Sequence, residues 1–302
     1  MKIKYSSEYF RSERKGFAFV LPALLFMLAF VGYPIIYNFI LSVYHVDIMT
    51  LGQQNKEFVG LQNYIDVFNN PTMMTSIWNT LLFTIGSISI QFVIGFALAL
   101  FFNLDFTLAK PMRGLLVVAW MIPMTVIALL SKFMLSPSGG IINELLLNLH
   151  LIDQPIGWLI NNSTALWGVI LANSWVGIPF NMILLTTGLS NISKSLYEAA
   201  EVDGASSLQK FVYITLPQLR PAILSVVILG FIYTFKVFDL VFVATGGGPV
   251  NATELMSTFA YKLSFAQFLF SKGATVANVL FIILFIVSLG YLKLIRKDEV
   301  IH

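Results

Sequence analysis

The chain has 302 residues, of which 57% are hydrophobic and only 11% are charged, and its formal net charge is +3. Soluble domains carry about 25% charged residues, so this composition excludes an ordinary water-facing surface and favours a lipid-facing one, where charge is costly. The absence of cysteine and the wide separation of the three histidines exclude disulfides, thiol chemistry and a metal site, and the small net charge gives no support to nucleic-acid binding.

Six apolar stretches are long enough to cross a membrane, which takes roughly 20 residues each. The first extends over about 16–44, which is longer than the apolar core of a signal peptide, and no A-x-A cleavage site follows it. We therefore expect a retained helix. The other spans are predicted at 77–102, 114–135, 165–189, 221–244 and 273–292. The predicted fold is an all-α polytopic membrane bundle of six transmembrane helices.

The distribution of lysine and arginine predicts the orientation of these spans, because basic residues collect on the cytoplasmic side. One side would carry thirteen of them: Lys2, Lys4, Arg11, Arg14, Lys15, Lys110, Arg113, Lys194, Lys210, Arg220, Lys293, Arg296 and Lys297. The other would carry three: Lys56, Lys262 and Lys272. Both termini are therefore predicted to be cytoplasmic. We divide the chain into a basic tail (1–15), a transmembrane domain (16–295) and a C-terminal tail (296–302).

The connection at 137–162 is predicted to lie outside and to contain a short amphipathic helix at 141–149, between Gly139-Gly140 and Pro155. The fourth span follows, and Gly177 and Pro179 interrupt it. Such a break is typical of a helix that bends or exposes carbonyls to a cavity. Its polar and aromatic residues are candidates for a substrate path, with lipid contact or packing as the alternative: Asn173, Trp175, Phe180 and Asn181.

The cytoplasmic connection at 190–217 is predicted to form two short helices with a bend at Gly204. Ser195 with Glu198, and Ser206 with Gln209, have the spacing of capping boxes. Pro217 is expected to end the second helix before the fifth span. A helix pair this short is unstable alone in water, so its apolar face requires either a partner protein or packing on its own bundle.

Three charged residues lie inside the spans, namely Lys132, Lys236 and Asp239. Charges in a membrane usually face the bundle interior or a watery cavity. Lys236 and Asp239 are three residues apart and can pair on one helix face. We assign them to a substrate path, with a structural ion pair as the alternative. Lys132 lies near the outer end of its span and can extend to the interface.

The cytoplasmic connection matches the spacing E-A-A-x3-G-x9-I-x-L-P at every position: Glu198, Ala199, Ala200, Gly204, Ile214, Leu216 and Pro217. It resembles the EAA loop of ABC importer permeases, in which this loop is a coupling helix seated in a cleft of the cytoplasmic ATPase. The resemblance implies that Glu198 contacts the ATPase, that the two alanines permit close approach and that Gly204 sets the bend. Where the family often has I-P before the motif, this chain has Ile192-Ser193.

Four further segments resemble the carbohydrate-uptake branch of that family, and the resemblance extends over nearly the whole chain. They are F-V-G-L-Q-N-Y at 58–64, W-N-T at 78–80, the segment 139–158, and T-G-G-G-P at 245–249. The last is typical of the first permease of maltose-type and glycerol-phosphate-type systems. It lacks the G-K-[ST] of a phosphate-binding P-loop, so it predicts an outer turn, and the chain is not expected to hydrolyse ATP.

The resemblance implies the type I importer permease fold in a bacterial or archaeal cytoplasmic membrane. The implied partners are a second homologous permease, two copies of an ATPase subunit that use ATP and magnesium, and an extracytoplasmic solute-binding protein. No cofactor is expected on this chain. The alternatives are a permease for glycerol phosphate, an oligopeptide or another small solute, and a six-span membrane enzyme or sensor. The last would need clustered catalytic residues, which the sequence lacks.

Overall fold

A computed structural model describes residues 17, 19–53, 55–104 and 106–299, with the backbone alone for 294–299. The basic tail predicted at 1–15 lies outside the described residues, as does the end of the C-terminal tail at 300–302. Twelve helices are described: α1 Phe19–Ser42, α2 Gln62–Phe68, α3 Pro71–Phe102, α4 Ala109–Trp120, α5 Met124–Met134, α6 Ile141–Asn148, α7 Ala165–Ser190, α8 Lys194–Val202, α9 Ser207–Phe235, α10 Asp239–Ala244, α11 Met256–Tyr261 and α12 Phe270–Glu299.

Five of these helices are long and apolar enough to cross a membrane, and α4 with α5 supplies a sixth span if this bent pair is counted as one. The predicted all-α, polytopic membrane bundle is therefore confirmed. The second span begins earlier than predicted. It begins at Pro71, because Asn70 caps the helix by accepting a hydrogen bond from the amide of Thr72 at 2.9 Å.

Two spans predicted as continuous helices are broken, and the sequence prediction was wrong on this point. The third bends by 95° between Trp120 and Met124. Pro123 lies in this break, and proline lacks the amide hydrogen that would continue a helix. The fifth ends at Phe235, and α10 begins separately at Asp239.

The bundle is organised around α3 and α7, which pack along each other. One core cluster joins them to α5 and α10 through Phe83, Ile127, Val169 and Leu240. A second joins α3 and α7 to α4 and α9 at the other end of the bundle. A third packs α2, α3, α9, α11 and α12 together. Around these clusters, large apolar side chains are widely exposed, which is the surface expected in lipid.

The F-V-G-L-Q-N-Y segment ties α1 to the bundle through buried polar contacts. Asn63 is 3% exposed and donates to the carbonyls of Ser42 and Tyr44 at 2.8 and 2.9 Å. The hydroxyl of Tyr64 lies 3.0 Å from the Ser42 hydroxyl and accepts a hydrogen bond from Asn278 of α12 at 3.3 Å. The segment therefore fixes the end of α1 against α12.

The connection at 137–162, which is predicted to lie outside, folds around one asparagine. The predicted helix at 141–149 is confirmed as α6, and Asn143 within it is 1% exposed. Its amide donates to the carbonyls of Ser136 and Ile156, and its carbonyl oxygen accepts from the Ile156 amide and the Trp158 indole, at 2.9–3.1 Å. All polar groups of this side chain are thus satisfied by the loop that it organises.

A surface ion pair also joins α2 to α12. Asp66 lies 3.0 Å from Lys272, and Gln62 donates to Asp66 at 2.8 Å. The hydrogen bond from Gln62, with help from Lys272, lowers the pKa of Asp66 below its ordinary value.

The predicted orientation can be tested directly, because the chain contains no cysteine. We expect Asp153→Cys, in the 137–162 connection, to react with a membrane-impermeant maleimide in right-side-out vesicles. We expect Val202→Cys, at the end of α8, to react only after permeabilisation. Both native side chains are exposed, so accessibility in the fold does not bias the comparison. The reverse labelling pattern would contradict cytoplasmic termini.

Candidate functional site

The E-A-A segment forms α8 and the start of α9, joined by a tight turn at Gly204. Gly204 has φ +77°, a left-handed conformation that favours glycine. Its amide donates to the Glu201 carbonyl at 3.0 Å, and the Ala205 amide donates to the Ala200 carbonyl at 2.8 Å. This hydrogen-bond pair is a Schellman motif. The predicted bend at Gly204 is confirmed.

Of the two predicted capping boxes, one is confirmed and one is wrong. Ser206 and Gln209 form reciprocal cap hydrogen bonds at 2.7 and 3.3 Å. Ser195 and Glu198 do not, because α8 begins at Lys194 with Ser193 at the N-cap position. Ser195 is therefore the second helical residue, and its hydroxyl bonds that of Ser193 at 2.7 Å.

Pro217 does not end the helix that begins at Ser207, so that prediction was also wrong. Residues 211–215 form a π-helical turn, in which the amide of Leu216 donates to the carbonyl of Phe211. The wider turn admits Pro217 near the start of the following α-helical segment, where a missing amide hydrogen is tolerated. The E-A-A segment therefore continues into the fifth span without interruption.

The turn between α8 and α9 is braced internally, and Phe211 of α9 contacts the bundle, with its ring centroid 6.1 Å from that of Phe96. Glu201 forms an ion pair with Lys210 at 2.6 Å, and the Tyr197 hydroxyl lies 2.9 Å from that of Thr215. The helix α8 buries none of its residues, and Val202 and Leu208 are 89% and 72% exposed. Folding leaves this apolar surface unpartnered, which argues against the intramolecular alternative.

The predicted coupling residues lie together on this segment. Glu198 and Ala199 are exposed and Ala200 is half-buried. In the described part of the chain, Glu198 forms no ion pair. Ala200, Gly204 and Ile214 line a shallow hollow of about 340 Å³. Leu216 is half-buried and Pro217 exposed at the base of the fifth span.

A cavity of about 240 Å³ lies deeper in the bundle, where the two broken spans meet α7. Trp120 and Met124 border it at the break between α4 and α5, and Val237 borders it at the break after α9. The remaining lining residues come from α3, α7 and α9: Gln91, Asn173, Val176, Gly177, Phe180, Gly230, Tyr233 and Thr234. No charged residue is among those that line this cavity in the described part of the chain.

The cavity combines aromatic faces with amides and a hydroxyl. Phe180 stacks on Trp120, with ring centroids 5.7 Å apart, and meets Tyr233 edge-on at 6.1 Å. Gln91 is 4% exposed and donates to the Asn173 carbonyl at 3.2 Å. This hydrogen bond holds α3 against α7 at the cavity wall.

Only two of the six predicted path residues line this cavity, namely Asn173 and Phe180. Asn181 is 2% exposed, donates to the carbonyl of Gly177 at 2.8 Å and packs against Gly95 of α3. Trp175 is 59% exposed and lies outside the cavity. The fourth span is also one continuous helix, although it contains Pro179.

The two charged candidates, Lys236 and Asp239, lie just beyond the cavity and do not share a helix face. Lys236 follows the last residue of α9, and its ammonium group lies 5.5 Å from the ring centroid of Tyr233. Asp239 is exposed and begins α10. Among the described residues the two form no ion pair, so the predicted pairing was wrong. The break at 236–238 separates them. Lys132 is exposed in the last turn of α5.

The T-G-G-G-P loop is a tight turn fixed by an ion pair to a buried carboxylate. Glu254 is fully buried and forms an ion pair with Lys262. Gly247 has φ +85°, and a Cβ at this position would overlap the Glu254 carboxylate. The loop requires glycine there for both reasons. The predicted outer turn is thus explained by the contact that it makes.

The same loop is attached to α3 by the W-N-T segment. Asn79 donates to the carbonyls of Asn251 and Glu254 at 3.0 and 3.2 Å, and Thr80 accepts from the Met256 amide at 2.9 Å. The W-N-T segment therefore holds the residues that directly follow the T-G-G-G-P motif.

Comparison with known proteins identifies the family that has this architecture. The family "binding-protein-dependent transport system inner membrane component" matches residues 91–295. The chain belongs to this family. It is 34% identical to the probable ABC transporter permease protein YurN of Bacillus subtilis, over 94% of this chain and 96% of that protein. It is 32% identical to the trehalose/maltose transport system permease protein MalF of Thermococcus litoralis, over 98% of both.

Among solved structures, the chain matches a subunit of a bacterial alginate ABC transporter in complex with alginate pentasaccharide-bound periplasmic protein. The TM-score is 0.79 at 21% identity, over 96% of this chain and 97% of that one. At this identity the match shows the fold. The ABC importer permease fold implied by the E-A-A resemblance is therefore confirmed.

The matched family region contains both the E-A-A segment and the cavity, but sequence reasoning missed much of the cavity wall. Gln91, Trp120, Tyr233 and Thr234 were not selected. Gln91 is the residue that a search could have found, because a lone amide inside a long apolar span must find a buried partner. The other three are ordinary residues of apolar stretches, so only the folded chain brings them together.

We expect the Glu254–Lys262 ion pair to be important for stability. Lys262→Met would leave the Glu254 charge buried and unpaired, which costs on the order of 3 kcal/mol. Thermal unfolding of the purified protein in detergent should shift to a clearly lower temperature. The double variant E254Q/K262M should recover most of the loss, because it removes the buried charge.

Lys272→Met is the matched control, because it removes another lysine predicted to lie outside, from a surface pair that contributes little. Equal melting temperatures for Lys262→Met and Lys272→Met would contradict the role assigned to the buried pair.

Proposed function

We propose that this permease forms half of the path by which an ATP-driven importer moves a neutral sugar or oligosaccharide across the cytoplasmic membrane. The main support for this proposal is the cavity at the two helix breaks. Its walls combine aromatic rings with uncharged hydrogen-bonding groups.

The chemistry of the lining residues suits a sugar. The rings of Phe180, Trp120 and Tyr233 offer apolar faces for the C–H side of a pyranose. The amides of Gln91 and Asn173 and the hydroxyl of Thr234 can hydrogen-bond its hydroxyl groups. A sugar with alternating apolar and polar faces can satisfy both sets of groups at once.

The charge of the cavity separates a neutral substrate from a phosphorylated one. A phosphate substrate requires arginine or lysine within reach. Among the described residues no charged side chain lines the cavity, and the nearby Lys236 lies over the ring of Tyr233. This supports a neutral sugar over glycerol phosphate. The trehalose/maltose system named for one relative is consistent with that choice.

The exposed E-A-A segment is evidence for the partner proteins of this permease. Its unpartnered apolar surface and the exposed Glu198 are suited to a cleft in a cytoplasmic ATPase subunit. We infer two such subunits, a second homologous permease and an extracytoplasmic binding protein. In this assembly ATP and magnesium are used by the ATPases, and this chain binds no cofactor and performs no covalent chemistry. ATP binding opens the path outward, and hydrolysis resets it inward.

Alanine substitution in the cavity should reduce transport. We expect Asn173→Ala and Phe180→Ala each to lower the rate of labelled-sugar uptake about tenfold. Losing one hydrogen bond or one ring contact costs on the order of 1–1.5 kcal/mol. Uptake into proteoliposomes containing the complete importer is the measurement, with a panel of neutral oligosaccharides as substrates.

Trp175→Ala is the control for these two variants. Trp175 is on the same helix, is 59% exposed and lies outside the cavity, so its removal should leave uptake near the parental rate. If Trp175→Ala abolished uptake while Asn173→Ala preserved it, the cavity would not be the substrate site.

Charge reversal at Glu198 should uncouple the ATPase. We expect Glu198→Lys to lower both co-purification of the ATPase subunit and sugar-stimulated ATP hydrolysis by at least tenfold, the effect of breaking a buried interfacial charge contact. Gly204→Asp should act similarly. It places a Cβ in a left-handed turn and adds bulk and a negative charge to the exposed surface.

Glu144→Lys is a charge reversal of the same kind on α6, a helix predicted to lie on the outer side. This variant should retain both co-purification of the ATPase subunit and sugar-stimulated ATP hydrolysis. Parental ATPase coupling in both Glu198→Lys and Gly204→Asp would show that the segment is not the coupling element.

A further inference from the structure

A second cavity lies at the end of the bundle predicted to face the cytoplasm, where the end of α3 meets the start of α4. Its volume is about 410 Å³. The residues that give it polar character are Asn103, Thr107, Lys110, Arg113 and Ser190. Neither the sugar path nor the E-A-A segment includes this cavity. It is a polar hollow with two cationic side chains at its edge.

The placement of the two cations is unfavourable for the isolated chain. Lys110 and Arg113 are the second and fifth residues of α4, so they lie on one helix face three residues apart. Like charges at this spacing repel each other. The start of a helix also carries the positive end of its dipole, which disfavours cations. A bound anion would therefore stabilise this arrangement.

The described part of the chain does not supply that anion. Neither Lys110 nor Arg113 forms an ion pair or a side-chain hydrogen bond there. The loop sequence contains one acid, Asp105, which leaves segment 103–113 with a formal charge of +1. The basic side chains therefore remain available to an external group.

The surroundings of the cavity favour a lipid over a soluble ion. Leu104 lines it and is 62% exposed, and Phe101 and Leu108, close by in the sequence, are 50% and 61% exposed. They lie where α3 ends, a helix long and apolar enough to cross a membrane, so we expect them near the membrane surface. Apolar side chains beside a polar hollow at this level match the two parts of a phospholipid, its acyl chains and its headgroup.

We propose that this cavity binds the phosphate headgroup of an anionic lipid from the adjacent leaflet. Lys110 and Arg113 pair with the phosphate oxygens, and the hydroxyl of Thr107 donates to them. The acyl chains lie against the exposed apolar residues. Basic pockets between membrane helices on the cytoplasmic side have the charge and shape for such headgroups. The inference does not depend on which solute is transported.

Binding can be measured as stabilisation of the full-length protein, purified in a neutral detergent. Short-chain phosphatidylglycerol, phosphatidylcholine and inorganic phosphate are titrated separately, and the melting temperature is recorded. We expect phosphatidylglycerol to raise the melting temperature, and the two other compounds to have little effect. The variant K110Q/R113Q should bind phosphatidylglycerol about tenfold more weakly or worse.

Two further variants make the test specific. K194Q/K293Q removes the same number of positive charges from the same predicted side and should keep the phosphatidylglycerol response. K110R/R113K keeps both charges and should also respond, which separates loss of charge from damage to the fold.

Three results would overturn the proposal. The first is an undiminished response in K110Q/R113Q, and the second is an equal loss in K194Q/K293Q. The third is stabilisation by inorganic phosphate as strong as that by the lipid, since it would identify a soluble anion as the ligand.

Discussion

Inside a membrane every backbone hydrogen-bonding group must find a partner within the protein, and this constraint explains where the cavity lies. A helix can be interrupted at membrane depth only where protein or a polar cavity surrounds the exposed backbone. The chain is interrupted at Met121–Pro123 and again after Phe235. Both interruptions border the same cavity, which α7 completes with the amide of Asn173. The breaks and the cavity therefore form one structural feature.

Buried asparagines in three polar segments share a common physical role. Asn63, Asn79 and Asn143 are each at least nine-tenths buried, and each donates to backbone carbonyls of another segment. A buried amide costs free energy unless it is fully hydrogen-bonded. Each asparagine thus makes one loop conformation much more favourable than the alternatives. These contacts and the Glu254–Lys262 pair act together with buried apolar side chains such as Leu255, Met256 and Phe259.

Much of the fold followed from the sequence, because hydropathy and the E-A-A spacing each depend on local patterns. The spans, the turn at Gly204 and the outer helix α6 were predicted in this way. The helix breaks were not, because Met121 and Ile122 are as apolar in a bend as in a straight helix. The cavity was only partly predicted. Lys236 and Asp239 were selected because they are charged residues inside a predicted span. The cavity walls instead consist of uncharged residues such as Tyr233 and Thr234, which only folding brings together.

The continuity of α9 has a mechanical consequence. A helix of 29 residues is about 43 Å long, and this one extends from the surface turn beside Gly204 to Tyr233 and Thr234 at the cavity wall. A rod pivoting near its centre by about 10° moves each end by about 4 Å, in opposite directions. The π-helical turn at 211–215 lies near one end, so any compliance there would shorten the stroke that reaches the other. If the E-A-A turn moves as proposed, the displacement that reaches the cavity depends on the length of this helix and on the stiffness of that single turn.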